Sequence, residues 1–205
     1  MKKLKIQDYI LIGIYTAIYF LVVCIAMILL QFTIPGYSSI FIPALTALFA
    51  GIVYLLVVNR IPRFGAITIM GSVMGIFFLI SGHFPLSFLP NIICAVLADL
   101  LQNKTAISMK LRTSVSYIIF SFGLIGPVLP LWFMKNAYID SLVARGKDTA
   151  YIDGVFAHIT TGSFIASFLA IIMFSMVGIM IGQKLYLKHF SKVKGKGHGK
   201  NAHQV

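Results

Sequence analysis

The sequence predicts an all-α integral membrane protein, with six transmembrane helices and both termini cytoplasmic. Three observations predict it. No Asp, Glu, Lys or Arg occurs from Tyr9 to Asn59, Phe64 to Ala98, Thr113 to Met134 or Gly154 to Gln183. A bilayer's hydrocarbon core takes about 20 apolar residues per helical span, so these reaches hold six spans. The chain is 11% charged with a mean hydropathy of +0.95, whereas a soluble domain carries about 25% charged residues. The basic residues, finally, cluster at every second boundary between spans.

Span 1 is expected over 8–33. The start Met1-Lys2-Lys3-Leu4-Lys5 has the form of a signal-peptide n-region. The apolar run after it is too long for an h-region, and no small-x-small cleavage site closes it, so it reads as a retained helix. Pro35-Gly36 ends that span as a turn. Span 2 follows over 40–58, and Asn59-Arg60-Ile61-Pro62-Arg63 is a basic loop with a helix-breaking Pro. Spans 3 (64–81) and 4 (85–102) share one uncharged stretch, broken at Ser81-Gly82-His83-Phe84-Pro85. Both are short enough for one to be irregular or re-entrant. Span 5 covers 113–134, with Gly126-Pro127 and Pro130 kinking its outer half. A polar loop over 135–158, with a short helix around 137–144, leads to span 6 at 159–183. Residues 1–190 thus form one membrane domain. Residues 191–205 are a basic Gly/Lys/His-rich tail, expected to be disordered, with His198 and His203 as remote metal candidates.

Fourteen of the 17 Lys and Arg lie in the N-terminus, the 59–63 loop, the 103–112 loop and the tail. In a six-span chain those four segments share one side, the cytoplasmic one by the positive-inside rule. Lys135, Arg145 and Lys147 lie opposite, balanced by Asp140, Asp148 and Asp153. This placement explains the net charge of +12 without nucleic acid as a partner. Cys24 and Cys94 fall inside spans, where Cys packs as a small apolar residue, and no metal-ligand spacing is present.

Catalytic chemistry finds little support. Asp99 is the acid inside a span, near its cytoplasmic end, where pairing with Lys104 or Arg112 makes it a helix-end anchor. GxSxG, HExxH and a facing pair of buried acids are all missing, so the chain is not expected to be an enzyme. Small-xxx-small pairs are informative instead. Gly71 with Gly75 and Gly178 with Gly182 suit internal packing, while Gly13 with Ala17 could serve a partner. On the outer side, polar and aromatic residues converge: His83, Phe84, Asn91, Trp132, Met134, Arg145, His158, Thr160 and Thr161. Apolar walls with a few placed polar groups are what a ligand pocket needs.

A chain of about 200 residues with this pattern resembles the substrate-binding S component of an energy-coupling factor (ECF) transporter. The opening Asp8-Tyr-Ile-Leu-Ile-Gly-Ile-Tyr-Thr-Ala-Ile-Tyr-Phe20 resembles the Trep_Strep (MptD-like) group. The resemblance implies a multi-pass protein of the bacterial plasma membrane, working as the capture subunit of an ABC importer. Its partners would be a transmembrane T component and two ATPase subunits, consistent with no GxxxxGK[ST] here. The class docks through an AxxxA face on its first helix. Gly13 and Ala17 occupy those positions, Gly departing from the pattern. The implied substrate is a micronutrient taken from outside and delivered inward by toppling, with no intrinsic cofactor. A tetrapyrrole such as haem would use His83 or His158 as axial ligand, Met134 as a softer one, and Arg145 or Lys147 for propionates. A vitamin-like or nucleobase-like solute would use Asn91, Thr160, Thr161 and Trp132. The alternatives are a stand-alone carrier or channel, or an intramembrane enzyme acting through Asp99, His83 or His158.

Overall fold

A computed structural model describes residues 3–104 and 108–189, so the tail at 191–205, with His198 and His203, lies outside the described residues. Every regular element among the described residues is a helix or a 3-10 turn. Helix α1 (Ile6–Thr33) opens with Asp8 accepting the Lys5 backbone N–H at 2.7 Å, which satisfies an amide that would otherwise lack a partner. Its 28 residues exceed the thickness of the hydrocarbon core, so it must tilt to span one. A 3-10 turn at Pro35–Tyr37 reverses the chain into α2 (Ser38–Phe49) and α3 (Gly51–Arg60).

The continuous span expected over 40–58 is broken: α2 and α3 meet at a 51° bend. At the bend α10 (Thr161–His189) packs closely: its Gly178 lies against the backbone of Ala47 and Leu48 while Gly182 lies against Gly51. A side chain at Gly178 would have its Cβ 2.7 Å from the Leu48 carbonyl oxygen. The Gly178–Gly182 pair therefore packs inside the molecule, as its spacing suggests.

Helix α4 (Ala66–Ile80) packs along α5 (Phe88–Lys104) in the same way. Gly71 and Gly75 admit Asn91 and Phe88 of α5, a Cβ at Gly75 standing 3.1 Å from the Phe88 carbonyl oxygen. Gly65, at φ 104°, starts α4 in the left-handed region that suits glycine. Helix α6 (Met109–Ser121) leaves α geometry at Phe122–Ile125, a 3-10 turn just before Gly126-Pro127. Short α7 (Leu129–Phe133), α8 (Lys135–Ala144) and α9 (Thr149–Phe156) follow. Helix α9 was not foreseen, although Asp148 caps it by accepting the Tyr151 N–H at 2.8 Å.

Among the described residues, three helices are long and apolar enough to cross a membrane: Ile6–Thr33, Pro85–Asn103 and Thr161–His189. The bent α2–α3 pair makes a fourth if it counts as one span, and α4 is a shorter apolar helix.

Hydroxyl groups tie the interior together where water is scarce. Ser116 donates to the Ala98 carbonyl at 2.8 Å, so Tyr54 must donate to Ser116, and Tyr117 donates to the Ala47 carbonyl at 2.6 Å. Asp99 is anchored by hydrogen bonds from the start of α4 and from Asn103. Its Oδ2 accepts from Gly65 N (2.8 Å), Thr68 N (3.0 Å) and Thr68 Oγ1 (2.8 Å), and Oδ1 accepts from Asn103 Nδ2 (2.8 Å). The first amides of α4 lack helical partners and carry the positive end of its dipole, which is what a buried carboxylate needs. The Lys104 side chain lies outside the described residues, and Arg112 lines the same cavity as Asp99.

Candidate functional site

The end of the bundle opposite Asp99 is covered by α7, α8 and α9. Phe84 is buried and its ring stacks on Tyr138 of α8, centroids 5.7 Å apart. Tyr138 meets Phe156 of α9 edge-on at 6.1 Å, and the Lys135 ammonium lies 5.2 Å above the Phe156 ring. Burial pushes the Tyr138 phenol above its usual pKa, so it stays a neutral hydrogen-bonding group. Arg145, at the end of α8, donates to the Gly82 carbonyl at 2.5 Å and also to the Ser141 carbonyl and hydroxyl. This single guanidinium fastens α8 to the α4–α5 turn.

His83 sits beside that turn, exposed at one edge and packed on Phe78 at 5.1 Å. Partial burial lowers its pKa from the usual 6.5. A hydrogen bond to the Phe78 backbone opposes this, and the Arg145 charge adds to the lowering. His158 belongs to a different turn. Its ring lies 4.3 Å from that of Tyr37, and a Cβ on Gly36 would meet its Nε2 at 2.6 Å.

Trp132 donates from Nε1 to the Thr160 carbonyl at 3.1 Å and packs edge-on against Phe164. Thr160 caps α10: its Oγ1 accepts the Ser163 N–H at 3.1 Å while Ser163 Oγ accepts the Thr160 N–H at 3.0 Å. Thr161 and Met134 are exposed at the same end.

Six of the nine expected residues thus form three fastenings of one cap. Arg145 and His83 lie at the α4–α5 turn, with Phe84 stacked beneath α8. Trp132 and Thr160 lie at the start of α10, and His158 lies at the α1–α2 turn. The two histidines occupy separate corners.

Beneath the cap, Asn91 is 4% exposed and packs against Gly123, whose added Cβ would stand 3.2 Å from the Asn91 Oδ1. Its Nδ2 and the Ser87 hydroxyl, one turn away, have no hydrogen-bond partner among the described residues. An unsatisfied buried polar group costs about 1–3 kcal/mol, which makes Asn91 and Ser87 the polar groups beneath the cap that are open to a partner. Sequence reasoning found Asn91 but passed over Ser87. The available signal was Ser87 one helical turn before Asn91, facing the Gly123–Gly126 pair.

The other expected site lies on α1. Gly13 and Ala17 are exposed, nothing stands within 4 Å of a Cβ built on Gly13, and an apolar groove of about 420 Å³ runs there between α1 and α4. Tyr9, Phe20, Val73 and Phe77 wall it. Among the chain's small-xxx-small pairs considered, this is the one left bare.

A family of hypothetical bacterial integral membrane proteins, Trep_Strep, has a model that matches residues 6–192. The chain belongs to the Trep_Strep family. No curated protein and no solved structure matches it. The matched segment of this Trep_Strep chain takes in both the capped end and the Gly13–Ala17 groove, and the family description makes it an integral membrane protein of bacteria.

Proposed function

We propose that the protein is the substrate-capture subunit of an ECF-type ABC importer in the bacterial plasma membrane. It crosses the membrane six times with both termini in the cytoplasm. Helix α4 and the α6–α7 segment supply the spans beyond the three long helices and the bent α2–α3 pair. A micronutrient binds beneath the α7–α9 cap on the extracellular side. A T component, driven by two ATPase subunits, receives the protein through α1.

The observation that carries this reading is the bare groove at Gly13 and Ala17. A small-residue face permits close helix approach, and in lipid such contact is driven by packing. The comparable Gly71–Gly75 and Gly178–Gly182 faces are filled by this chain's own helices. A stand-alone carrier has no use for an unfilled third one, and it would need a polar path through the midplane.

Ser87 and Asn91 favour a solute with hydrogen-bonding edges, such as a vitamin-like ring, for the floor of the site. A tetrapyrrole would call on His83 or His158, and to share one ring both would have to leave the turns they pack on.

The experiment couples binding to uptake. The purified protein is titrated with haemin, followed by its Soret band, and with B vitamins and nucleobases, followed by native mass. The compound that binds is then used for uptake in vesicles holding the whole importer. Gly13→Leu is expected to leave binding within about twofold and to cut uptake about tenfold or more, since a bulky side chain blocks close approach. Uptake unchanged in Gly13→Leu, or transport by the wild-type protein reconstituted alone, would sink the proposal.

A further inference from the structure

A cavity of about 240 Å³ lies at the end of the bundle away from the cap, where α3, α4, α5 and α6 meet. Its polar lining comprises Arg63, Asp99, Gln102, Asn103 and Arg112, with Met109 among the apolar walls. The volume far exceeds the roughly 30 Å³ that one water occupies in liquid.

Gln102 is 8% exposed. Its Nε2 donates to the Thr113 hydroxyl at 3.2 Å, whereas its Oε1 is buried with no hydrogen-bond partner among the described residues. A buried carbonyl oxygen left this way is open to a donor within the cavity. Asp99 lines the same cavity, its oxygens accepting hydrogen bonds from Gly65, Thr68 and Asn103. Arg63 is held at the rim by an ion pair with Asp8 of α1, and Arg112 lines the other side. The cavity therefore presents two guanidinium groups, one of them paired with Asp8, beside the Asp99 carboxylate, and one unfilled acceptor, which suits an N–H or O–H.

We propose that this cavity binds a phosphoester head that also carries a terminal hydrogen-bond donor, the phosphate meeting Arg63 and Arg112 and the donor meeting Gln102 Oε1. The ethanolamine or glycerol head of a bilayer phospholipid has this chemistry. Arg63 and Arg112 in its lining belong to the basic segments at which lipid head groups gather. The site is distinct from the capture site and does not depend on the importer reading.

The test is native mass spectrometry of the full-length protein in detergent. It is mixed with equimolar phosphatidylethanolamine, phosphatidylglycerol and phosphatidylcholine. Choline has a phosphate but no terminal donor, so it isolates the role of Gln102. The ethanolamine and glycerol lipids are expected to be retained about tenfold over the choline lipid, the scale of one unmet buried hydrogen bond. Gln102→Leu should bring that ratio to about one. Thr113→Val, which removes the Gln102–Thr113 bond and keeps Oε1, should preserve it.

Equal retention of all three lipids by the wild-type protein overturns the proposal, as does a preference that survives Gln102→Leu. Glycerol 3-phosphate and phosphoethanolamine separate the two sources of the head group. If these soluble compounds bind in a Gln102-dependent way and the lipids do not, the site stands with a soluble ligand. If Gln102→Leu does not fold, the wild-type lipid ratio and the Thr113→Val variant decide.

Discussion

Two residues show how burial and charge are reconciled at opposite ends of the bundle. Asp99 keeps a carboxylate inside the protein because the opening amides of α4 need acceptors as much as it needs donors. Its sequence position, in the last turns of a span, pointed to an anchor. The partner was not legible, because Gly65 and Thr68 lie on another helix 34 and 31 residues away. His83 presents the converse case. Partial burial holds its pKa below 6.5, helped by Arg145 and opposed by the Phe78 backbone. A histidine whose pKa is depressed when packed takes up its proton more readily when the packing opens. The closed cap is therefore at full stability above about pH 6.5 and loses stability as pH falls below that value. Trp132, the chain's single tryptophan, reports it. Its quenching by iodide should rise as pH falls from 7.5 to 5, and His83→Gln should flatten that rise. A rise that persists in His83→Gln would assign the opening to another group.

At the scale of elements, glycine pairs of identical spacing have opposite roles, decided by what faces them. Gly178→Ala would push a Cβ into the backbone of Ala47 and Leu48 at the α2–α3 bend. Overpacking of this kind costs about 1–3 kcal/mol, with the helix-propensity gain of up to about 1 kcal/mol as a partial offset. Gly13→Ala meets nothing within 4 Å, so it keeps the propensity gain alone. Thermal unfolding in detergent should show Gly178→Ala falling and Gly13→Ala unchanged or rising. A fall in Gly13→Ala comparable to that in Gly178→Ala would mean that the α1 face is packed after all. The spacing of these pairs was legible in the sequence, and so was the internal role of the α4 and α10 pairs. The 51° bend between α2 and α3 was not; it lies where α10 sets its glycines against a helix more than a hundred residues earlier. Of the candidate site, the sequence grouped most of the cap residues by assigning them one side of a six-span chain. It did not show that Arg145 reaches Gly82 or that His158 packs on Tyr37, since those contacts join turns distant along the chain.

For the whole molecule, helix length and charge bias pull in different directions. Helix α4 has 15 residues and α6 has 13. At 1.5 Å per residue they measure about 22 and 20 Å, short of a hydrocarbon core of about 30 Å. The charge bias nonetheless fits both crossing: fourteen of 17 basic residues lie in segments that share a side when the spans alternate six times. Two features reconcile these readings. Helix α6 continues through the 3-10 turn at Phe122–Ile125 to α7, and α4 is buried along α5 rather than facing lipid throughout. Irregular backbone is tolerated at membrane depth where protein covers it. Labelling with a membrane-impermeant maleimide decides the matter. In a background lacking Cys24 and Cys94, Ser81→Cys and Lys147→Cys should label from outside intact cells. Arg60→Cys and Ser191→Cys should label only after lysis. The α4–α5 turn is the discriminating position. If α4 and α5 formed a re-entrant hairpin, the 60 and 104 ends would still share a side, but Ser81→Cys would stay dark from outside. Outside labelling of Ser81→Cys together with inside labelling of Arg60→Cys therefore requires α4 to cross, and outside labelling of Lys147→Cys requires α6 to cross back once α5 has crossed; together they place the His83–Arg145 end of the cap where a solute from the medium first meets the protein.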